Sequence, residues 1–134
     1  MIDLHTHTFW SDGADSPEEL VANACAAGVE VLGLTDHDTL DGLAATAAAA
    51  EAAGMEFWPG VDISTSMPLD GDRRLPIHLL GYGVDPHHAG LRTELAGHAM
   101  ARVFRIGQML EKVNRLIEER HGVADAILPA RVLE

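Results

Sequence analysis

Three observations predict an α/β fold with parallel strands. Short apolar runs alternate with helical patterns in the order strand, helix, strand, helix, strand. Val29–Leu34 is mostly apolar and partly β-branched, as a strand buried between layers should be. Polar clusters rich in His and Asp follow the first two strands directly, where parallel α/β sheets form ligand sites.

Each element has a local signal. Met1–His7 reads as a strand, with Ile2 and Leu4 on one face and Asp3, His5 and His7 on the other. The loop Thr8–Asp15 carries the turn residues Ser11, Asp12 and Gly13. A helix follows, with Ser16 as N-cap, Pro17 at its first position and Glu19 completing a capping box. Leu20, Val21, Ala24 and Ala27 form its apolar stripe, and Gly28 ends it. The single cysteine, Cys25, lies in this pattern and reads as a buried, inert thiol. A second helix covers Asp41–Ala53 and stops at Gly54. Met55–Trp58 reads as a third strand broken by Pro59-Gly60, and Val61–Thr65 as a short fourth. Met67–Leu75 reads as a polar loop and Ile77–Val84 as a fifth strand. Beyond residue 88, Leu91, Leu95, Ala99, Phe104, Leu110, Val113 and Ile117 fit one long helix ending near Gly122. The tail Val123–Glu134 has no closing signal.

Composition narrows the function classes. The chain has 134 residues, 47% hydrophobic and 22% charged, which suits one domain of ordinary globular character. Its 21 acidic and 9 basic residues leave a net charge of -12. That argues against stable binding to duplex nucleic acid and against anionic membrane surfaces. One cysteine excludes an internal disulfide framework. Asp3 and His5 break any apolar leader, and Leu43–Ala53 is too short to span a bilayer, so a cytoplasmic location is expected.

The chemistry lies in the placement of eight His and the acidic residues. His5 and His7 at i and i+2 on a strand share a face. Asp12 follows in the next loop. His37 sits after the second strand between Asp36 and Asp38, Asp62 follows Pro59-Gly60, and His78 opens the fifth strand. Four imidazoles and two carboxylates without a thiolate suit zinc, iron, manganese or magnesium. Asp3, Asp36 and Asp38 are expected to orient ligands or cap backbone. His87, His88, His98 and His121 lack partner spacing and read as surface. Arg73-Arg74 suits phosphate but reads better as a solvated loop. Phe9 and Trp10 fit either packing or the wall of a base or sugar pocket.

Taken together, Asp3-Leu4-His5-Thr6-His7, Ser11-Asp12-Gly13, Pro17-Glu18-Glu19-Leu20, Thr35-Asp36-His37-Asp38, Gly60-Val61-Asp62-Ile63-Ser64 and His78-Leu79-Leu80-Gly81-Tyr82 resemble the polymerase and histidinol phosphatase (PHP) family. The resemblance covers about residues 1–90. It implies the N-terminal part of a distorted seven-stranded βα barrel with parallel strands, followed by a long helix. Residues 91–134 would begin an inserted helical subdomain. It implies up to three divalent ions, with His5 and His7 on the first, Asp12 and His37 on the second, Asp62 bridging the first and third, and His78 on the third. The implied activity is hydrolysis of phosphate esters of nucleotides or short oligonucleotides by metal-activated water.

Two features depart from the family pattern. The bridging position is usually Glu and here is Asp62, one methylene shorter. The family's downstream His and Asp-x-His ligands do not occur before Glu134, and an unclosed sheet would leave an edge open to self-association. An alternative is therefore a degenerate PHP module that binds metal and serves structure or a partner. A zinc hydrolase of the amidohydrolase type shares His-x-His on a barrel, but the Thr-Asp-His-Asp block disfavours it.

Overall fold

The computed structural model of the chain describes residues 1–127. Seven elements follow in order: β1 (Ile2–Thr6), α1 (Pro17–Ala26), β2 (Val31–Leu34), α2 (Leu43–Ala53), β3 (Glu56–Pro68), β4 (Arg74–Tyr82) and α3 (Ala89–His121). They make a mixed α/β fold with one sheet of order β1-β2-β3-β4. The chain divides into two compact units, Met1–Ala96 and Gly97–Glu134.

The first helix starts as its residues dictate. The Ser16 side chain accepts from the Glu19 N–H, and the Glu19 carboxylate accepts from the Ser16 N–H at 2.8 Å. Val21 and Ala24 face inward. Cys25 is exposed, contrary to expectation, because it lies one helical step of about 100° beyond Ala24. Gly54 ends α2 in the left-handed region at φ 68°. One apolar cluster joins Val21, Ala24, Val29, Leu32, Ala50 and Met55, binding α1 and α2 to β2. A second joins Leu34, Leu40, Leu43, Val61 and Leu95. Both lie on the helix-covered face of the sheet.

Only part of the sheet is parallel. β1, β2 and β3 pair in parallel, but β4 pairs antiparallel to β3, from Gly60 opposite Tyr82 to Pro68 opposite Arg74. The expected polar loop Met67–Leu75 is a hairpin end, with Leu69 N–H bonded to the Arg73 carbonyl at 3.0 Å. So short a link cannot make a parallel crossover, which needs a dozen or more residues. Pro59-Gly60 does not break β3 either. Glu56–Pro59 pair with β2, and from Gly60 onward the strand pairs with β4. Proline is tolerated because the Glu56 N–H points toward β2. Position 59 therefore points away from β2, at the very end of the β4 ladder, where no ladder bond needs its N–H.

The sheet curls. Tyr82 on β4 donates its hydroxyl to the Leu4 carbonyl on β1 at 2.9 Å. In a flat sheet those edges would lie about 14 Å apart, beyond a tyrosine's reach. The helix-free face is therefore the inner face, and Ile2, Leu4, Val31, Trp58 and Tyr82 line its lower part. In the second unit, the segment after α3 folds back, and Ile127 bonds through both backbone groups to the Asn114 side chain. Among the described residues, no helix is long and apolar enough to cross a membrane.

Fully buried Leu32 anchors the first cluster. Leu32→Ala is expected to cost about 2–5 kcal/mol in urea unfolding, while Cys25→Ser stays within about 0.5 kcal/mol. A small Leu32 effect or a large Cys25 effect would contradict this packing.

Candidate metal centre

The inner face gathers its polar groups at the carboxyl ends of the parallel strands. Three residue steps of β1, from Asp3 to Thr6, run against two of β2, from Leu32 to Leu34. This irregularity re-aims the end of β1. His5 and His7 leave it with ring centroids 5.0 Å apart. The His7 ring lies 4.5 Å from that of His37, and the His37 ring 4.8 Å from that of His78. His78 sits within β4, diagonal to Asp62 across the antiparallel pair, and points inward.

Two carboxylates thread these rings. Asp12 places one oxygen 3.4 Å from His7 Nδ1 and the other 3.5 Å from His37 Nε2. Asp62, only 1% exposed, has Oδ1 3.1 Å from His78 Nδ1. Its Oδ2 lies 3.3 Å from His37 Nδ1 and 3.6 Å from His5 Nε2. All six residues singled out in the sequence thus share one patch. They form three overlapping groups: His5, His7 and Asp62; His7, Asp12 and His37; His37, Asp62 and His78. Within each, the candidate donor atoms lie within 4.8 Å of one another.

These groups suit divalent ions. Ligands at ~2.0–2.2 Å from one ion stand roughly 3–4 Å apart, close to the spacings seen. His7 Nδ1 and His37 Nδ1 are buried and lack a hydrogen-bond partner, although a carboxylate oxygen is near each. Buried polar atoms are rarely left so. A cation beside Asp12 could use the His7 lone pair, and one beside Asp62 that of His37 Nδ1.

The flanking acids act on backbone and loops. Asp3 Oδ1 accepts from the His5 N–H at 3.3 Å. Asp36 is buried and holds the β1–α1 loop, accepting from Thr8 N–H at 2.7 Å, Thr8 Oγ1 at 2.6 Å and Ser11 Oγ at 2.7 Å. Asp38 adopts φ 55° and accepts from the Ser64 N–H at 2.9 Å, tying His37's loop to β3. Its own N–H donates to the Asp62 carbonyl, and Asp62 N–H donates to the Asp36 carbonyl. His37 and Asp62 thereby form an isolated parallel bridge beyond β2.

Sequence reasoning assigned no supporting role at the centre to several residues. Thr8 and Thr35 are buried, and Thr35 Oγ1 donates to the Thr6 carbonyl. A Cβ on Gly13 would collide with the His7 carbonyl, and one on Gly42 would meet Asp36 Oδ2 at 2.8 Å. Nothing in their local pattern separates them from ordinary turn residues. Arg74 is bonded to Ser66 on the hairpin, away from the centre. His88 caps α3 by accepting from the Leu91 N–H.

Burial holds the His7 imidazole below its ordinary value of 6.5, the neighbouring His37 adds to this, and Asp12 opposes it. The neutral, ligating form is thus favoured. The unfolded chain binds the proton more readily, so this contribution to stability is present in full above pH 6.5. It is lost as pH falls through the lowered folded value. An NMR titration of the metal-free protein is expected to place the His7 midpoint below 6.5, and a midpoint at or above 6.5 would contradict the burial argument.

The PHP domain family model matches residues 3–123. The chain is 41% identical over 108 residues to a 3′,5′-nucleoside bisphosphate phosphatase of Chromobacterium violaceum, covering 81% of this chain and 36% of that protein. It is 42% identical over 113 residues to a 5′-3′ exoribonuclease of Haemophilus influenzae, covering 82% and 39%. A solved structure of an amidohydrolase from Chromobacterium violaceum, with bound sulfate and no metal, superposes with a TM-score of 0.77. It is 38% identical and is matched over 92% of this chain and 40% of its own. The chain thus spans only about two fifths of the length of these relatives. With its motifs, its inner-face centre and this match, the chain belongs to the PHP domain family.

Proposed function

We propose that this protein is a metal-dependent phosphoesterase acting on phosphate esters of nucleotides or short oligonucleotides. The observation that carries this reading is the overlap of three candidate donor groups through His7, His37 and Asp62, an arrangement with room for more than one ion. The relatives support the substrate class, one named for nucleoside bisphosphates and one for RNA.

In this reading His5 and His7 would hold one ion, Asp12 and His37 a second, and His78 a third, with Asp62 shared between the first and the third. Four imidazoles favour manganese, iron or zinc over magnesium. Bound divalent ions supply Lewis acidity toward phosphoryl oxygens and lower the pKa of water. The protein's own contribution is positional. Asp62, clamped by Asp36 and Asp38 backbone, presents both oxygens to three imidazoles. Asp62 stands where Glu is usual in the family, and β4 brings His78 Nδ1 to 3.1 Å from its Oδ1, so both residues would face a shared ion. Asp36 fixes the loop bearing Asp12 through Thr8 and Ser11. We also assign residues 1–90 to the first part of a seven-stranded barrel, and residues 91–134 to the start of an inserted helical segment. The greater length of the relatives supports that assignment.

A second reading, amide hydrolysis, is favoured by the name of the solved relative. Substrate choice separates the two. Manganese-dependent phosphate release is expected from nucleoside monophosphates or bisphosphates, and none of the chelated protein's activity should remain. His7→Ala and Asp62→Ala are each expected to lower metal affinity by at least about 100-fold in calorimetry, since even the partners of ligands are worth 10–100-fold. Full activity in His7→Ala, or turnover of amides but not phosphate esters, would sink this reading.

A further inference from the structure

We propose that Phe9 and Trp10 form a stacking platform for the base of a nucleotide whose phosphate sits at the neighbouring His/Asp centre. The inference rests on the phosphoesterase reading and adds the element recognised beyond the phosphate. Phe9 is 53% exposed and Trp10 47%, and their rings lie 5.5 Å apart at 35°. Leaving two large rings in water forgoes burial that ordinary packing would gain.

The rings are held out by a buried network. Asp36 accepts from Thr8 N–H, Thr8 Oγ1 and Ser11 Oγ, and Trp10 N–H donates to Thr8 Oγ1 at 3.3 Å. Phe9 N–H bonds to the Asp15 carbonyl, and Ser11 and Gly13 N–H both bond to the Thr8 carbonyl, each at 3.0 Å. This network fixes the backbone from which both rings project. The loop that carries the platform is therefore preorganised, which lowers the ordering cost of binding.

Its position suits a nucleotide. Phe9 is two residues beyond His7, and Trp10 is two residues before Asp12, so each ring's Cα lies within about 7 Å of a candidate ligand's Cα. The Trp10 indole edge also rests on the loop after His37, since a Cβ on Gly42 would lie 3.1 Å from Trp10 Cδ1. The rings thus sit among the loops that carry the first and second donor groups. Among the described residues, no Lys or Arg is hydrogen-bonded to or ion-paired with any of the six centre residues. A chain of net charge -12 gains little from steering an anion. Stacking, which every base can offer, is the attraction left for the nucleoside part.

Trp10 and Trp58 are the only tryptophans, so Trp58→Phe leaves Trp10 as the sole indole reporter. In the manganese-loaded protein carrying Trp58→Phe, adenosine 5′-monophosphate is expected to quench that fluorescence and ribose 5-phosphate is not. Trp10→Ala should weaken adenosine 5′-monophosphate binding roughly 5- to 150-fold, the range found for losing one base stack. It should leave inorganic phosphate binding unchanged, and Trp10→Phe should keep most of the affinity. Equal weakening of both ligands in Trp10→Ala, or wild-type binding no tighter for the nucleotide than for ribose 5-phosphate, would overturn the platform. If Trp10→Ala does not fold, Trp10→Phe and the quenching of Trp10 decide the matter. Phosphate binding without any gain from the base would sink the platform alone. Absence of metal-dependent phosphate binding would sink the phosphoesterase reading with it.

Discussion

The inner face depends on one buried carboxylate. Asp62 is almost wholly excluded from water, and a lone charge in that position would cost several kcal/mol. Both its oxygens are met by imidazoles, His78 on one and His37 and His5 on the other. The backbone around it is equally constrained. Its N–H and carbonyl pair with Asp36 and Asp38 of the preceding loop, and Asp38's side chain reaches on to Ser64. β3 carries this residue just past the point where its partner changes from β2 to β4. Strand pairing, loop clamping and imidazole placement therefore converge on one position.

Asp36 solves the matching problem for the β1–α1 loop. Loops normally run over the surface because their polar groups need partners. Here a buried carboxylate supplies three acceptor contacts at 2.6–2.7 Å, and Thr8, itself buried, becomes the hinge post of the loop. Charge-assisted bonds of this length are among the stronger ones available to a loop. The consequence is a rigid presentation of Asp12 between His7 and His37, and of two aromatic rings beside it. Sites that bind ions need such preorganised donors, because each donor that must first be ordered weakens binding.

Much of this was legible in the residues. The capping box at Ser16–Glu19, the stop at Gly54 and the long third helix follow from short-range rules, and the structure contains each; it also gathers the six candidate ligands into one patch. The misreadings share a physical cause. Pro59-Gly60 looks like a break because proline lacks a donor, yet whether a strand needs that donor depends on which neighbour lies on that side. Met67–Leu75 looks like a loop because it contains Pro68, Asp70, Gly71 and Asp72, yet a two-stranded hairpin can reach past the core with both faces wet. Cys25 was assigned inward by composition, whereas the helix phase turns it outward.

Residue identity and spacing alone therefore established which groups exist and in which local element each sits: two imidazoles on one strand end, an Asp-His-Asp loop, and a helix started by Ser16-Pro17. Those are matters of chemistry and of periods of 2 and 3.6 residues, and they need no knowledge of distant chain. Tertiary structure alone decided that β4 runs back along β3, so that His78 meets Asp62, and that the sheet curls until Tyr82 reaches Leu4. It also decided that Asp36 faces a loop rather than an imidazole. These outcomes turn on pairings between residues 16 to 78 positions apart, which local propensity does not encode and only the packed sheet selects.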